Sequence, residues 1–341
     1  MVAAAAAAGG VGGACGAGYN AMAAPHALSL AVGAGIYAFY HVTNYALQAA
    51  FYGVRGARGA AAWKTQPAAG WDGDSGGGGG CADSPWVPWV PACAWCRRRR
   101  QSHPWAWLLS TVNAVMAACA AAATTEAALH GATRLYNNGG DVGDVGGGSG
   151  GWAALLAPRS TWEAGVMAAQ LAVAVVHENV VEYWWHRAMH TRWLYSTMHK
   201  IHHANKAPRP FDDMLIHPVE ALGYYCILYS PPFLYTMHVS SFIAYMVIMG
   251  LAGVLDHSGI MATVPGFYCA SDHDRHHSKF NVNFGFPNPW LDILHGTFDG
   301  EYCGRRYTAL AERRGKVAEA AGSADGEDVG SGADSDSDSD P

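Results

Sequence analysis

The sequence predicts an all-α integral membrane bundle of about four to five spans, topped by a histidine-rich helical cap that faces the cytosol. Three observations predict it. Half of the 341 residues are hydrophobic, only 14% are charged, and mean hydropathy is near zero, which is poor in charge for a soluble globule. Long runs of Ala, Val, Leu and Met alternate with Gly-rich or acidic stretches, so the apolar part is far more apolar than the average. The 17 histidines are unevenly spread, five of them within "HRAMHTRWLYSTMHKIHH" (His186 to His203).

The elements follow in order. Residues 1–26 read as a flexible Ala/Gly-rich leader, with no Lys or Arg for a signal-peptide n-region and no Arg/Ser bias for a transit peptide. Residues 27–160 hold the N-terminal spans and their linkers. Ala27 to Tyr52 is uncharged and exceeds the roughly 20 residues a helix needs to cross a bilayer. Its polar residues His41, Asn44 and Gln48 are expected to face other helices. A linker from Gly53 to His103 carries a glycine run (Gly76 to Gly80) and the cluster Arg97 to Arg100, before a second span from Pro104 to Thr125. Residues 137–151 form another flexible connection. Its Gly147-Gly148-Ser149-Gly150-Gly151 matches GxSxG formally but lacks the strand and helix that a nucleophile elbow requires.

Residues 161–310 form the domain with the histidine clusters. The apolar stretch from about Ala164 to Val176 continues into "HENVVEYWWHRAMH" without Gly or Pro, so one helix is expected to leave the bilayer with His186 on its protruding end. Val219 to Leu255 is too long for one span and has Pro231-Pro232 near its middle, as in a helical hairpin or re-entrant pair. Residues 311–341 are an acidic tail, expected to be disordered and solvated, that supplies much of the net charge of -6. The eight cysteines include a single CxxC, Cys93-Ala-Trp-Cys96, and no second pair to complete a four-thiolate zinc site.

Arg55, Arg58, Lys64 and the four-Arg cluster place the first linker in the cytosol by the positive-inside rule. Counting crossings from there puts residues 183–218 and everything after 256 on the same face, which gathers the histidine clusters on one side of the membrane.

Those clusters are His186-x3-His190, His199-x2-His202-His203 and His273-x2-His276-His277. Positions i, i+3 and i+4 share a helix face, so each cluster can aim several imidazoles at one point. Eight such nitrogens exceed the needs of one tetrahedral ion, and two metal ions is the economical reading. Imidazole-rich, thiolate-free sites suit iron, copper, nickel or zinc, and iron with open positions matches the abundance best. Zinc would give hydrolysis at most, and no HExxH-type Glu joins the clusters. His26, His41, His103, His130 and His238 read as satisfied core residues.

The order HxxxH, HxxHH, HxxHH among hydrophobic spans resembles the fatty acid hydroxylase superfamily, the membrane non-haem di-iron enzymes that include sterol desaturases and sterol methyl oxidases. The resemblance covers about Val181 to Thr297. It extends to His217-Pro218-x-Glu220, Asp256-His257-Ser258-Gly259, Asn283-Phe284-Gly285 and "LDILHGTF" (Leu291 to Phe298). It implies that His186, His190, His199, His202, His203, His257, His273, His276 and His277 bind a catalytic di-iron centre. His217 is either a further metal ligand or a helix cap. The stretch before His257 holds no second histidine, so the full ligand count stays open. Glu182, Asp256, Asp272 and Asp274 are candidates to orient ligands, with solvated carboxylates as the alternative. His295 reads as structural.

The resemblance further implies two iron ions, dioxygen, and electrons from an external cytochrome b5 or a ferredoxin with its reductase, because the sequence shows no flavin or nicotinamide fingerprint. The expected partners are a lipid substrate, the membrane and that donor, with no nucleic acid. The expected reaction oxidises a lipid C–H bond, which no side-chain acid or base can do at neutral pH. The histidine spacing with HPVE is nearer the sterol-modifying branch, hence a sterol or related isoprenoid at the endoplasmic reticulum, with a plastid membrane also open. Fatty-acyl or other lipid hydroxylation and isoprenoid epoxidation are the alternatives within the family. A membrane metal-binding or transport protein is the alternative of another class. Transporters place ionisable ligands within spans, whereas these clusters follow them.

Overall fold

The structure, a computed structural model, describes residues 17–55, 63–66, 106–142 and 151–310. The start of the leader, most of the first linker with its CxxC and Arg cluster, His103, the serine of the GxSxG match and the acidic tail lie outside the described residues.

Helix α1 (Ala17–Leu47) runs on through a π-helical stretch to Arg55. It packs along α2 (Ala106–Leu129) by way of small residues: a Cβ on Gly33 would lie 2.7 Å from the Ala118 carbonyl oxygen. After a two-stranded turn, β1 (Leu135–Asn137) and β2 (Gly140–Asp141), and the short α3 (Gly151–Leu156) comes α4 (Thr161–Met189). Ser160 caps α4, its Oγ accepting from Glu163 N. Helix α4 carries Trp162 at its start and Trp184 near its end, both more than half exposed. At 1.5 Å per residue they stand ~33 Å apart, the spacing of two aromatic belts across a bilayer. His186 therefore follows just past the second of these tryptophans.

Among the described residues, three helices are long and apolar enough to cross a membrane: Leu108–Leu129, Thr161–Met189 and Val239–Asp256. About four to five spans were expected. The expected first span is helical, but its Tyr, His, Thr and Asn residues leave it outside that set. Asn44 shows what they do: it is fully buried, its Oδ1 accepts from Phe211 N, and its Nδ2 donates to the Tyr40 carbonyl. The first arm of the expected hairpin is broken. Helix α5 (Pro218–Leu228) is only 11 residues, α6 (Pro231–Leu234) starts at the proline pair that cannot continue it, and β3 (Met237–His238) pairs with β1. Helix α7 (Val239–Asp256) then returns as one continuous span.

Beyond α7 lie the hairpin β4 (Thr263–Val264) and β5 (Tyr268–Cys269), then α8 (Ala270–Lys279), α9 (Trp290–His295) and the hairpin β6 (Gly300–Tyr302) and β7 (Arg305–Tyr307). The short segment Trp63–Gln66 folds back over this cap, Thr65 N donating to the Gly259 carbonyl and Gln66 Nε2 to that of Lys206. Gly259 is required there: its φ is +67°, and a Cβ would lie 2.5 Å from the Pro208 carbonyl oxygen.

α5 crosses α4 at Gly223, where an added Cβ would come within 2.3 Å of the Trp185 ring. Gly223→Ala is expected to push the two helices apart and cost about 1–3 kcal/mol. Thermal unfolding in detergent reads this, and an unchanged midpoint would show that the crossing tolerates the methyl group.

Candidate metal centre

Each histidine is delivered by a different local device. The last turns of α4 supply His186 and His190, four residues apart and so on one face. The chain then leaves α-geometry: a π-helical turn (Tyr195–His199) ends on His199, and a 3-10 turn (His202–Ala204) carries His202 and His203. His257 caps the C-terminus of α7, and α8 presents His273, His276 and His277.

The structure sorts these nine side chains into two groups. His186, His190, His199, His203 and His276 form one, and His202, His257, His273 and His277 the other, with the ligand atoms of each group within 4.8 Å of one another. Each HxxHH run divides crosswise. The i and i+4 residues stay together (His199 with His203, His273 with His277), while the middle residue (His202, His276) joins the opposite group. Adjacent positions differ by about 100° around a helical turn, which is why neighbours such as His202 and His203 face apart. The two groups touch, with the His203 and His277 ring centroids 4.7 Å apart.

The nitrogens converge in a way hydrogen bonding does not explain. His203 Nε2 lies 3.2 Å from His190 Nε2, 3.0 Å from His199 Nε2 and 3.0 Å from His276 Nε2. In the second group His257 Nε2 lies 3.0 Å from His202 Nε2 and 2.9 Å from His273 Nε2. An imidazole nitrogen has one in-plane proton or one lone pair, so it can serve one such bond and not three. Nitrogens held about 2.1 Å from a common ion, at right angles about it, are roughly 3.0 Å apart. The buried Nε2 atoms of His186 and His277 have no protein partner. The donor set fits two metal ions.

The opposite ring nitrogens are tied down. Nδ1 lies 3.0 Å from the Phe284 carbonyl oxygen in His186, 2.9 Å from that of Gly253 in His257, 2.7 Å from Val282 in His276 and 3.1 Å from Asn205 in His277. A carbonyl only accepts, so each Nδ1 carries the proton and each Nε2 lone pair points inward. Burial first, then neighbouring imidazoles, push His190 down to about 2 and His203 to about 3, and hold His199, His202, His273, His276 and His277 well below the usual range. These rings are neutral at pH 7, the form that binds metal.

One imidazole has a carboxylate partner that the sequence reading missed. Glu220 Oε1 lies 2.5 Å from His199 Nδ1, both groups buried. Burial pushes the carboxyl up to about 8, and a cation at His199 Nε2 is the charge that would keep it ionised. The signal was present: Glu220 closes the HPVE stretch. Glu220→Gln is expected to weaken metal affinity about 10–100-fold with the fold intact, measured by chelator competition. Equal affinity in wild type and variant would remove Glu220 from this role.

The four carboxylates weighed as ligand-orienting or solvated groups have other partners. Glu182 is buried and faces Glu178, so it is not a solvated helix end. Asp272 pairs with Arg275, Asp274 faces the Lys64–Gln66 segment, and Asp256 meets the Tyr268 hydroxyl. Among the described residues no hydrogen bond joins any of them to a clustered imidazole. His257 has instead Asp213, whose Oδ1 is 3.4 Å from Nδ1. His217 lies outside both groups: as the N-cap of α5 its Nδ1 accepts from Val219 N, the capping role left open in the sequence. A helix start aims that ring back at its own backbone. His295 bonds the Leu291 carbonyl and stacks on Tyr183. Of the isolated histidines, His41 and His238 bond local backbone, whereas His26 and His130 are exposed and share Glu126 instead of lying in the core.

Residues 171–297 match the model of the fatty acid hydroxylase family, over the same stretch that holds both histidine groups. This segment is similar to a fatty acid hydroxylase domain. The chain is 32% identical over 117 residues to a Delta(7)-sterol 5(6)-desaturase of Gibberella zeae, covering 34% of each protein. It is 30% identical over 162 residues to a very-long-chain aldehyde decarbonylase of Oryza sativa subsp. japonica, covering 45% of this chain and 54% of that one. A second such decarbonylase, from Oryza sativa subsp. indica, is 32% identical over 160 residues, 44% of this chain and 59% of its own. The chain therefore spans less than two thirds of these curated relatives. No solved structure matches the sequence.

Proposed function

We propose that the protein is a membrane-bound non-haem di-iron oxygenase or desaturase that uses dioxygen and external electrons to oxidise a C–H bond of a lipid. One observation carries this: nine histidines in two touching groups, their Nε2 atoms converging and their Nδ1 atoms largely anchored, at one end of apolar helices. The iron pair, when bound, supplies the oxidising power that side chains lack. The chain's own work is positional. His186, His190, His199, His203 and His276 would hold one ion, and His202, His257, His273 and His277 the other. Phe284, Val282, Asn205 and Gly253 carbonyls fix ring orientation, Glu220 balances charge at His199, and burial excludes water from the centre.

The electron donor is proposed to be cytochrome b5 or a ferredoxin with its reductase, and the setting the endoplasmic reticulum with the histidine groups facing the cytosol. For the lipid, the HPVE motif and the desaturase relative support a sterol or related isoprenoid. The aldehyde decarbonylase relatives support a second reading, a long-chain substrate.

The test is elemental analysis of anaerobically purified protein in detergent, with Mössbauer spectra of iron-enriched samples. About two coupled irons per chain is the expected result. Zinc that persists through iron-replete expression, with no activity after iron reconstitution, would overturn the reading in favour of a hydrolase or a metal-binding protein.

A further inference from the structure

His203 sits at the middle of the first histidine group, its Nε2 within 3.2 Å of the Nε2 atoms of His190, His199 and His276. It is also held differently. His186 and His276 are fixed through Nδ1 by carbonyls and His199 by Glu220, whereas His203 Nδ1 is buried without a hydrogen bond of normal geometry and has only the His277 backbone near it. The torsion that turns an imidazole about its Cβ–Cγ bond is broad, so a ring without such a tether needs another support to keep Nε2 aimed at one point.

Phe280 lies against it. The two ring centroids are 5.0 Å apart with the planes tilted by 36°, Tyr195 meets the Phe280 ring edge-on at 6.2 Å, and Lys206 Nζ stands 5.7 Å from the same ring's centroid. The backbone that puts the ring there is strained. Phe280 follows α8 with φ +69° and ψ −43°, and Asn281 N donates to the Lys279 carbonyl at 2.9 Å, which closes a γ-turn of the rare, positive-φ kind centred on Phe280. Glycine would take this conformation freely, whereas a bulky side chain there is an outlier. A large ring kept against the preference of its own backbone points to work that the ring does. The turn serves the first group a second time, since Phe280 N donates to the His276 carbonyl at 2.7 Å and the Val282 carbonyl just beyond holds His276 Nδ1.

We propose that Phe280 is a positioning residue of the metal centre: its ring, locked by the γ-turn, sets the plane of His203 so that Nε2 faces the ion held by the first group. The assignment rests on the reading of the nine histidines as a two-metal site and deepens it. Where the other tethered ligands are oriented by a hydrogen bond to Nδ1, this one is oriented through the face of its ring.

The experiment measures the affinity of the full chain in detergent for ferrous iron and, separately, for zinc, by anaerobic chelator competition. Phe280→Leu keeps the strained turn and apolar bulk but has no flat ring, Phe280→Gly removes ring and strain together, and Phe280→Tyr keeps the ring. One of the two ions is expected to bind about 10–100-fold more weakly in Phe280→Leu and Phe280→Gly, the other as in the wild type, with Phe280→Tyr within about threefold of the wild type for both. A residue that only fills space would leave Phe280→Leu unchanged. Thermal unfolding of the metal-free protein shows which variants fold, and Phe280→Leu decides alone if Phe280→Gly does not. Both ions bound by Phe280→Leu as by the wild type, or Phe280→Tyr as weak as Phe280→Leu, overturns the proposal and leaves the metal centre standing. The expected order with zinc, in protein that takes up no iron, supports it and sinks the oxygenase reading. A wild type that binds neither metal sinks both.

Discussion

His276→Ala is expected to insert into membranes normally, to lose at least one of two irons, and to lose activity by more than about 100-fold, beyond the range seen when only an orienting partner is removed. His276 is fully buried at the meeting of the two groups: its Nε2 is 3.0 Å from His203 Nε2, and it is the one member of its group supplied by α8. Removing it leaves four imidazoles from the 186–203 segment with nothing closing the far side. His295→Ala is the matched control, since that ring bonds a local carbonyl and stacks on Tyr183. Metal analysis and turnover on both variants decide the matter. Full activity with two irons in His276→Ala would break the assignment of the first group.

Asp292→Ala is expected to destabilise the cap by about 3–5 kcal/mol, although Asp292 touches no clustered imidazole. Its carboxylate accepts from Phe284 N at 2.9 Å, Gly285 N at 2.6 Å and Thr297 Oγ1 at 2.6 Å. Alanine would leave the buried Phe284 N and the half-buried Gly285 N without this acceptor, and Thr297 Oγ1 with the Tyr183 hydroxyl alone. The damage should reach the metal, because the Phe284 carbonyl that this turn positions holds His186 Nδ1. Gly285 is fixed by the same turn: a Cβ there would lie 2.7 Å from Asp292 Oδ2. Thermal unfolding and iron content, measured together, should fall in parallel. A change within about 0.5 kcal/mol would mean that water replaces the carboxylate without loss.

The cap shows where sequence reasoning is strong and where it fails. Runs of Ala, Val and Leu announced α2, α4 and α7, because a bilayer forces any crossing segment to be helical and apolar. Histidine concentration announced the centre, because a chain has little other use for so many imidazoles at i, i+3 and i+4. The orienting carboxylates went the other way: Glu182, Asp256, Asp272 and Asp274 were singled out for lying near histidines in sequence, and all four have other partners. Glu220, 21 residues from His199, holds the position instead. Second contacts of a ligand come from whatever element packs against it, and sequence distance carries little information about that. For the same reason the sequence left His217 open between ligand and cap, and only the start of α5 makes it a cap.

By itself the sequence determined that the chain is helical, with segments apolar enough to cross a membrane and eight histidines in three clusters, since apolar length and residue chemistry are local properties written one position at a time. Only the tertiary structure decided that His202 and His276 cross over to the opposite groups and that the first arm of the hairpin is broken at Pro231. Those depend on which way each helical turn faces and on what packs across it, a balance of long-range contacts that no single segment encodes.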